Sequence, residues 1–144
     1  MIGGFSETHQ KKDKMDNVFQ VFKTELLRRA EEKCACKSQY NRAVSAGNID
    51  DLLTIVKENF SWCWIRGVVD AEMLAQISET VLFGNQIYLS GRHEISVSQN
   101  ISVILLADAQ ATVETRESSQ ATVETWGSSQ ATVETWGSSQ ATVE

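Results

Sequence analysis

The chain of 144 residues has room for one ordinary domain, or for a small domain with an appended segment. Its 42% hydrophobic and 22% charged residues are ordinary for a folded protein in water. The net charge of −6 is unevenly spread, because residues 61–144 carry three Lys and Arg against ten Asp and Glu. Phosphate backbones require clustered cations, so we do not expect this acidic half to bind nucleic acid.

The three cysteines do not form the even framework that is typical of secreted disulfide scaffolds. Cys34 and Cys36 lie close together, but no histidines follow at the spacing of a zinc site, and we expect Cys34 and Cys63 to fill the core. No apolar run has the length of a signal peptide or of a transmembrane helix. These features predict a reduced, cytoplasmic protein that uses no metal or other cofactor and does not contact a membrane.

Residues 1–14 are polar and lysine-rich, which predicts a flexible tail. A helical head is predicted over residues 15–79. Its first helix is amphipathic, begins after a cap at Asp16 or Asn17 and ends near Lys37, because apolar residues recur there at intervals of three and four.

Three shorter helices are predicted to complete the head. The second covers residues 38–46 and ends at Gly47, where a left-handed C-cap is favoured. Asn48 or Asp50 caps the third, and Asp70 caps the fourth. Between the last two, the apolar sequence SWCWI (Trp62, Trp64 and Ile65 among its residues) is predicted to close the helical core.

From Thr80 onward the hydrophobic period changes from about 3.6 residues to 2, which indicates strands. The sequence TVLFGNQIYLSG predicts a β hairpin with a Gly-Asn turn. The segment 80–110 is therefore predicted to hold this hairpin and, at 101–110 (ISVILLADAQ), a degenerate first copy of the repeat that follows.

A ten-residue tandem repeat occupies residues 111–144. Residues 111–120 read ATVETRESSQ, the next two units both read ATVETWGSSQ, and residues 141–144 read ATVE. In each unit, alternate residues of a short strand point inward and the last four residues form a corner, which glycine and serine favour. We expect a β-solenoid, or β-roll, in which two units make one turn and valine columns meet inside.

Two known types of strand repeat do not match these units. The turns lack the carboxylates of calcium-binding nonapeptide rolls, and a glutamate replaces the second threonine that an ice-binding face requires. A low-complexity tail without a fixed fold remains an alternative, but the β-branched columns and the absence of proline argue against it. The predicted fold class is α+β, with a helical head followed by a β-solenoid.

The repeat units resemble those of uncharacterised decapeptide-repeat proteins of bacteria and phages, with ATVxxxGxSQ-type units behind a helical head. The resemblance covers residues 101–144 well and the head loosely. It implies a repetitive β architecture, and it supplies no catalytic residues.

Function is expected to lie on the outward positions of the repeat. A ladder of threonines beside glutamates and two tryptophans are the candidate interaction residues (Thr112, Glu114, Thr122, Glu124, Trp126, Thr132, Glu134 and Trp136). The tryptophans either form an exposed apolar stripe or pack over a corner of the coil.

No enzyme is predicted, because neither His9 nor His93 accompanies a recognisable nucleophile motif. We expect a structural or interaction protein whose repeat mediates self-association, since a solenoid unit that is left uncovered at Glu144 invites stacking. The alternative is an acidic binding module, phage-related in origin, that engages a basic protein surface. The partner is thus expected to be another copy or another protein.

Overall fold

The computed structural model describes the backbone of residues 3–144 and the side chains of residues 17–144. Two compact units divide the chain: the first ends at Ile77, and the second spans Ser78–Glu144. The fold is α+β, with helices followed by parallel strands in two sheets. Among the described residues, no helix combines the length and the apolar character needed to cross a membrane.

From residue 3 onward, the first unit contains five helices: α1 (Gly3–Glu32), α2 (Lys37–Ser45), α3 (Ile49–Glu58), α4 (Phe60–Ile65) and α5 (Ala71–Ala75). The first helix begins earlier and ends earlier than predicted. No proline or glycine occurs between Phe5 and Ala46, so composition alone does not fix where α1 starts. The predicted tail, residues 1–14, lies outside the described side chains, and its flexibility stays a prediction.

Short polar side chains cap three of the helices, and two of these caps were predicted. Asn48 accepts a hydrogen bond from the backbone N–H of Asp51, and Asp70 accepts one from Met73. The predicted left-handed cap at Gly47 is wrong, because α2 ends at Ala46 in an extended conformation and Gly47 is not among the residues with positive φ. The chain is extended at Ala46 and reaches Asn48, the cap of α3, two residues later.

Large apolar side chains from several helices form the core of the first unit (Phe22, Leu26, Leu52, Leu53, Val56, Phe60 and Leu74). Trp62 and Trp64 are half-buried, and Trp64 stacks on Phe60 with ring centroids 5.5 Å apart. The prediction that Ile65 also closes this core is wrong, since its side chain is 70% exposed at the last position of α4.

The second unit opens with a helix where a hairpin was predicted. Residues Glu79–Gly84 form α6, and the Ser78 hydroxyl caps it by accepting from the backbone N–H of Val81. Short apolar runs such as Val81–Phe83 suit either a strand or a helix, and the cap decides between them. The predicted Gly-Asn turn is instead the end of this helix, with Asn85 as its C-cap.

Seven strands follow: β1 (Ile87–Tyr88), β2 (Arg92–Val97), β3 (Ile101–Leu105), β4 (Gln110–Thr115), β5 (Gln120–Thr125), β6 (Gln130–Thr135) and β7 (Gln140–Val143). One sheet has the order β1-β3-β5-β7, and the other has the order β2-β4-β6. All pairs are parallel. Successive strands thus alternate between the two sheets.

Strands of the repeat pair at an interval of two units, so identical residues lie beside one another. Val103 pairs with Val123 and then Val143 in one sheet, and Val113 pairs with Val133 in the other. Val103, Val113 and Val123 are fully buried in a core that Tyr88, Val97 and Leu105 complete. Ile101–Leu105, which lies in the predicted degenerate copy, pairs in register with β5 of the repeat.

Candidate interaction surface

The predicted interaction residues lie on two sheets instead of one. Thr112 and Glu114 pair in register with Thr132 and Glu134 in the sheet of β2, β4 and β6. Thr122 pairs with Thr142 in the other sheet, where Glu124 also lies. The threonines and glutamates therefore do not form the one ladder that was predicted, because consecutive units belong to opposite sheets, as the predicted two units per turn require.

Two of the outward glutamates have close partners within their own units. Glu114 forms an ion pair with Arg116 at 3.1 Å, and the Glu124 carboxylate accepts from the indole N–H of Trp126 at 3.4 Å. In these two units the side chain at position 6, arginine or tryptophan, thus contacts the glutamate at position 4. The cation of Arg116 compensates the charge of Glu114, whereas the neutral indole of Trp126 leaves the charge of Glu124 in place.

The two tryptophans of the repeat have different environments. Trp126 is half-buried and bonded to Glu124, whereas 57% of the surface of Trp136 is exposed. They also belong to units on opposite sheets. Within the described repeat, Trp126 and Trp136 therefore do not form a continuous stripe.

Serine hydroxyls join each corner to the neighbouring layer of strands. Ser129 accepts from the backbone N–H of Trp126 at 2.9 Å and donates to the carbonyl of Leu105 at 3.1 Å. Ser119 makes the equivalent bonds to Arg116 and Val97. The sequence predicted that these hydroxyls bond the turn, and it missed the second bond, which reaches a strand more than twenty residues earlier.

The corner of each unit covers positions 6–9 and not the last four residues, since the residue at position 10 begins the next strand, and the second residue of each corner has positive φ. The angle is 68° at Gly127 and 66° at Gly137, and at the equivalent positions it is 51° at Ala107 and 60° at Glu117. In each corner the fourth residue donates its backbone N–H to the carbonyl of the first. Positive φ at this position favours glycine and strains Ala107 and Glu117.

Burial falls along the repeat toward β6 and β7, which are the outer strands of the two sheets in the described chain. Ala111, Val113, Ala121 and Val123 are buried, while Val133 is half-buried and 50% of Val143 is exposed. The same apolar positions therefore form the core in the inner strands and an accessible surface in the outer ones.

The cysteines belong to the first unit and differ in their surroundings. Cys63 is buried, as predicted, and burial raises the pKa of its thiol to about 11. The prediction that Cys34 fills the core is wrong: α1 ends at Glu32, and Cys34 is exposed in the following turn with φ of 60°. Cys36 is also exposed, and a hydrogen bond with the Ser38 hydroxyl lowers the pKa of its thiol.

A mostly apolar cleft of about 270 Å³ opens in the first unit. Its walls include Leu26, Tyr40, Val56 and Trp62, with Cys36 among the lining residues. Sequence analysis did not identify this cleft, because its residues come from four helices with no shared motif. Within residues 17–144, no three His, Cys, Asp or Glu side chains converge as metal ligands would.

Comparison with models of protein families, with curated proteins and with solved structures gave no match to this chain.

Proposed function

We propose that the repeat region is a β-solenoid with two ten-residue units per coil, and that it acts as the self-association element of a structural or interaction protein. Parallel pairing at an interval of two units, with consecutive strands in opposite sheets, supports the solenoid. The buried valines and the serine bonds between layers support a packed arrangement over a loose tail.

The proposal of self-association rests on the identical sequences of the outer and inner strands. The strands β4, β5 and β6 all have the sequence QATVET, and the shorter β7 has the sequence QATV. Because β4 already binds β6 in register, a QATVET strand is a ligand for another QATVET strand. The outer strands β6 and β7 therefore present backbone and valine positions that suit a further strand of the same sequence.

The alternative proposal, an acidic module for a basic protein surface, rests on the glutamates of the outward faces. Glu114 and Glu134 are neighbours in register, which concentrates negative charge on one sheet. However, Arg116 already pairs with Glu114, so part of that charge is compensated within the chain. Because of this charge compensation, we prefer self-association to the acidic module.

Size-exclusion chromatography with light scattering, over a range of protein concentration and of salt, tests the proposal. Association through strand edges and valines predicts a mass above that of one chain, and this mass persists at high salt because such contacts are not screened. The mass of a single chain at every concentration would contradict self-association. Salt-sensitive binding to a basic polypeptide by that monomer would instead support the acidic module.

Two lysine variants distinguish the contribution of the apolar positions to association from that of the outward face. Val143→Lys places a charge at an apolar position of β7 and is expected to weaken association, whereas Thr142→Lys places the same charge on the outward face and is expected to leave it intact. Equal loss of association in both variants would show that net charge, and not the valine position, controls the mass.

A further inference from the structure

We propose that the cleft in the first unit binds a small, uncharged aromatic molecule. All of the residues that line this cleft belong to the first unit, so the proposal is independent of the self-association proposed for the repeat. The volume of about 270 Å³ lies just below the roughly 300–1,000 Å³ of ordinary small-molecule sites. The cleft therefore suits a ligand of one or two rings better than a larger cofactor.

The cleft is open because small side chains line it on several elements. Ala30 of α1, Ala35 of the turn after α1 and Ala43 of α2 are all lining residues, and a larger side chain at any of them would occupy part of the space. Protein interiors are otherwise packed about as densely as organic crystals, with few voids larger than a water molecule. A ligand can therefore enter this space without displacing a core side chain.

The residues that line the cleft, all within the described part of the first unit, include no Lys, Arg, Asp or Glu. Arg42 contacts the lining residue Gln39 at 2.8 Å, but its charge is already paired with Glu58 at 2.6 Å. A charged ligand would lose its hydration in the cleft without gaining an ion pair there. The cleft therefore selects an uncharged ligand.

Two aromatic rings and two amides define the chemistry of the ligand. Tyr40 and Trp62 are half-buried lining residues, and aromatic rings pair favourably with other rings. The Asn59 amide donates to the side-chain carbonyl of Gln39 at 3.2 Å and to the backbone carbonyl of Ile55 at 2.9 Å. These bonds use the N–H groups of Asn59 and the oxygen of Gln39, so the opposite ends of the two amides can bond one polar group of an aromatic ligand.

Two dyes that share one aromatic skeleton test the charge selectivity on the full chain. N-phenylnaphthylamine is uncharged and carries one N–H, whereas anilinonaphthalene sulfonate is the same molecule with an added anionic group. We expect fluorescence titrations to give a Kd about tenfold lower for the uncharged dye, because the sulfonate must be desolvated without a cation. Absence of binding of the uncharged dye, or binding of the sulfonate that is as tight or tighter, would overturn the proposal.

Substitutions at two adjacent residues of α2 determine where the uncharged dye binds. Ala43→Leu adds atoms to the lining and is expected to raise the Kd by about tenfold, whereas Val44→Leu enlarges an exposed residue outside the lining and should leave the Kd unchanged. Circular dichroism confirms that each variant is folded. If Ala43→Leu does not fold, Ala35→Leu, at a half-buried lining residue, replaces it with the same expected result. The same Kd in all the folded variants would show that the dye binds elsewhere and would overturn the proposal.

Alkylation of the exposed cysteines by iodoacetamide gives a second readout of occupancy. Cys36 lines the cleft, whereas Cys34, two residues earlier in the same turn, does not. In the Cys34→Ser variant, a saturating concentration of the uncharged dye is expected to slow alkylation of Cys36 severalfold. In the Cys36→Ser variant, the dye should leave alkylation of Cys34 unchanged. Mass spectrometry measures both rates, and protection of both cysteines or of neither would contradict binding in the cleft.

Discussion

The serine at position 9 of each repeat unit adds a second hydrogen bond to backbone groups that already pair between the corner and the neighbouring strand. Ser119 is 4% exposed, and its hydroxyl lies between the N–H of Arg116 and the carbonyl of Val97. Ser139 lies in the same position between Trp136 and Thr115. One small side chain therefore both closes the turn and attaches it to the preceding layer.

Replacing Ser119 by alanine is expected to lower the free energy of unfolding by about 1 kcal/mol. The loss is not larger because the N–H of Arg116 also donates directly to Val97. Ser118, which is exposed in the same corner, supplies the control, and Ser118→Ala is expected to have little effect. Urea denaturation of both variants measures the difference in their free energies of unfolding. Equal midpoints would contradict the structural role assigned to Ser119.

Glycine at position 117 is expected to stabilise the protein. Glu117 has a φ of 60°, a conformation that costs a residue with a side chain about 1 kcal/mol, and the next two units carry glycine at this position. Glu117→Gly should therefore raise the urea midpoint. Ser118→Gly, at a neighbouring position without positive φ, should lower it or leave it unchanged, and the opposite order of the two midpoints would contradict the turn assignment.

At the scale of the elements, an ion-pair network joins α1 to the start of α5. Arg29 bonds Glu25 at 2.7 Å and Asp70 at 2.8 Å, and Arg28 bonds Glu25 at 2.6 Å. Hydrogen bonds from Arg28 and Arg29 lower the pKa of Glu25 to about 2, and the bond from Arg29 lowers the pKa of Asp70. Asp70 thus both caps α5 and pairs with α1.

This network predicts a loss of helical stability in acid. Because the pKa of Glu25 is lower in the folded protein than its usual value of 4.5, its stabilising contribution is complete above that pH and is lost as the pH falls toward 2. The change for Asp70 has the same sign. Thermal melts followed by helical circular dichroism should show a fall in Tm over this interval.

The variant Arg29→Met removes the shared cation while keeping an apolar stem on α1. Its Tm should be lower at neutral pH and should change less between pH 4.5 and acid than that of the unaltered chain, since fewer carboxylates are then stabilised in the folded state. The same acid dependence in both proteins would show that the network does not contribute.

Sequence analysis correctly placed helices that begin with a cap residue and a long amphipathic pattern. It failed where a short apolar run fits a helix and a strand equally well. The caps at Asn48 and Asp70 were found because a short polar side chain precedes an amphipathic run. The helix α6 was missed because a three-residue apolar run fits both periods, and the Ser78 cap was not recognised. Cys34 and Ile65 were misplaced because each lies at the end of a helix, where the apolar stripe no longer determines direction.

For the whole molecule, the sequence predicted the α+β order of the chain and the inward positions of the repeat. The periodic valines were sufficient for this, since they recur at a fixed interval with β-type alternation. The placement of Thr112 and Thr122 on opposite sheets follows from two units per turn, but the near-identical sequences of the units suggested one common ladder. The cleft beside Tyr40 and Trp62 requires helix packing that no local pattern encodes.

The central claim of two units per coil can be tested by pairs of introduced cysteines. The exposed cysteines Cys34 and Cys36 are first replaced by serine, while buried Cys63 is retained. Thr112 and Thr132 are register partners in neighbouring strands, whose Cα atoms lie about 5 Å apart, within the range that a disulfide spans. Thr112 and Thr122, one unit apart, lie in opposite sheets and point outward.

The measurement is the yield of intramolecular disulfide after mild oxidation at low protein concentration, determined by mass spectrometry of the monomer. Two units per coil predicts that Thr112→Cys with Thr132→Cys forms the bond readily and that Thr112→Cys with Thr122→Cys does not. A higher yield for the pair one unit apart, or the same low yield for both, would contradict the pairing on which the proposed solenoid and its proposed self-association depend.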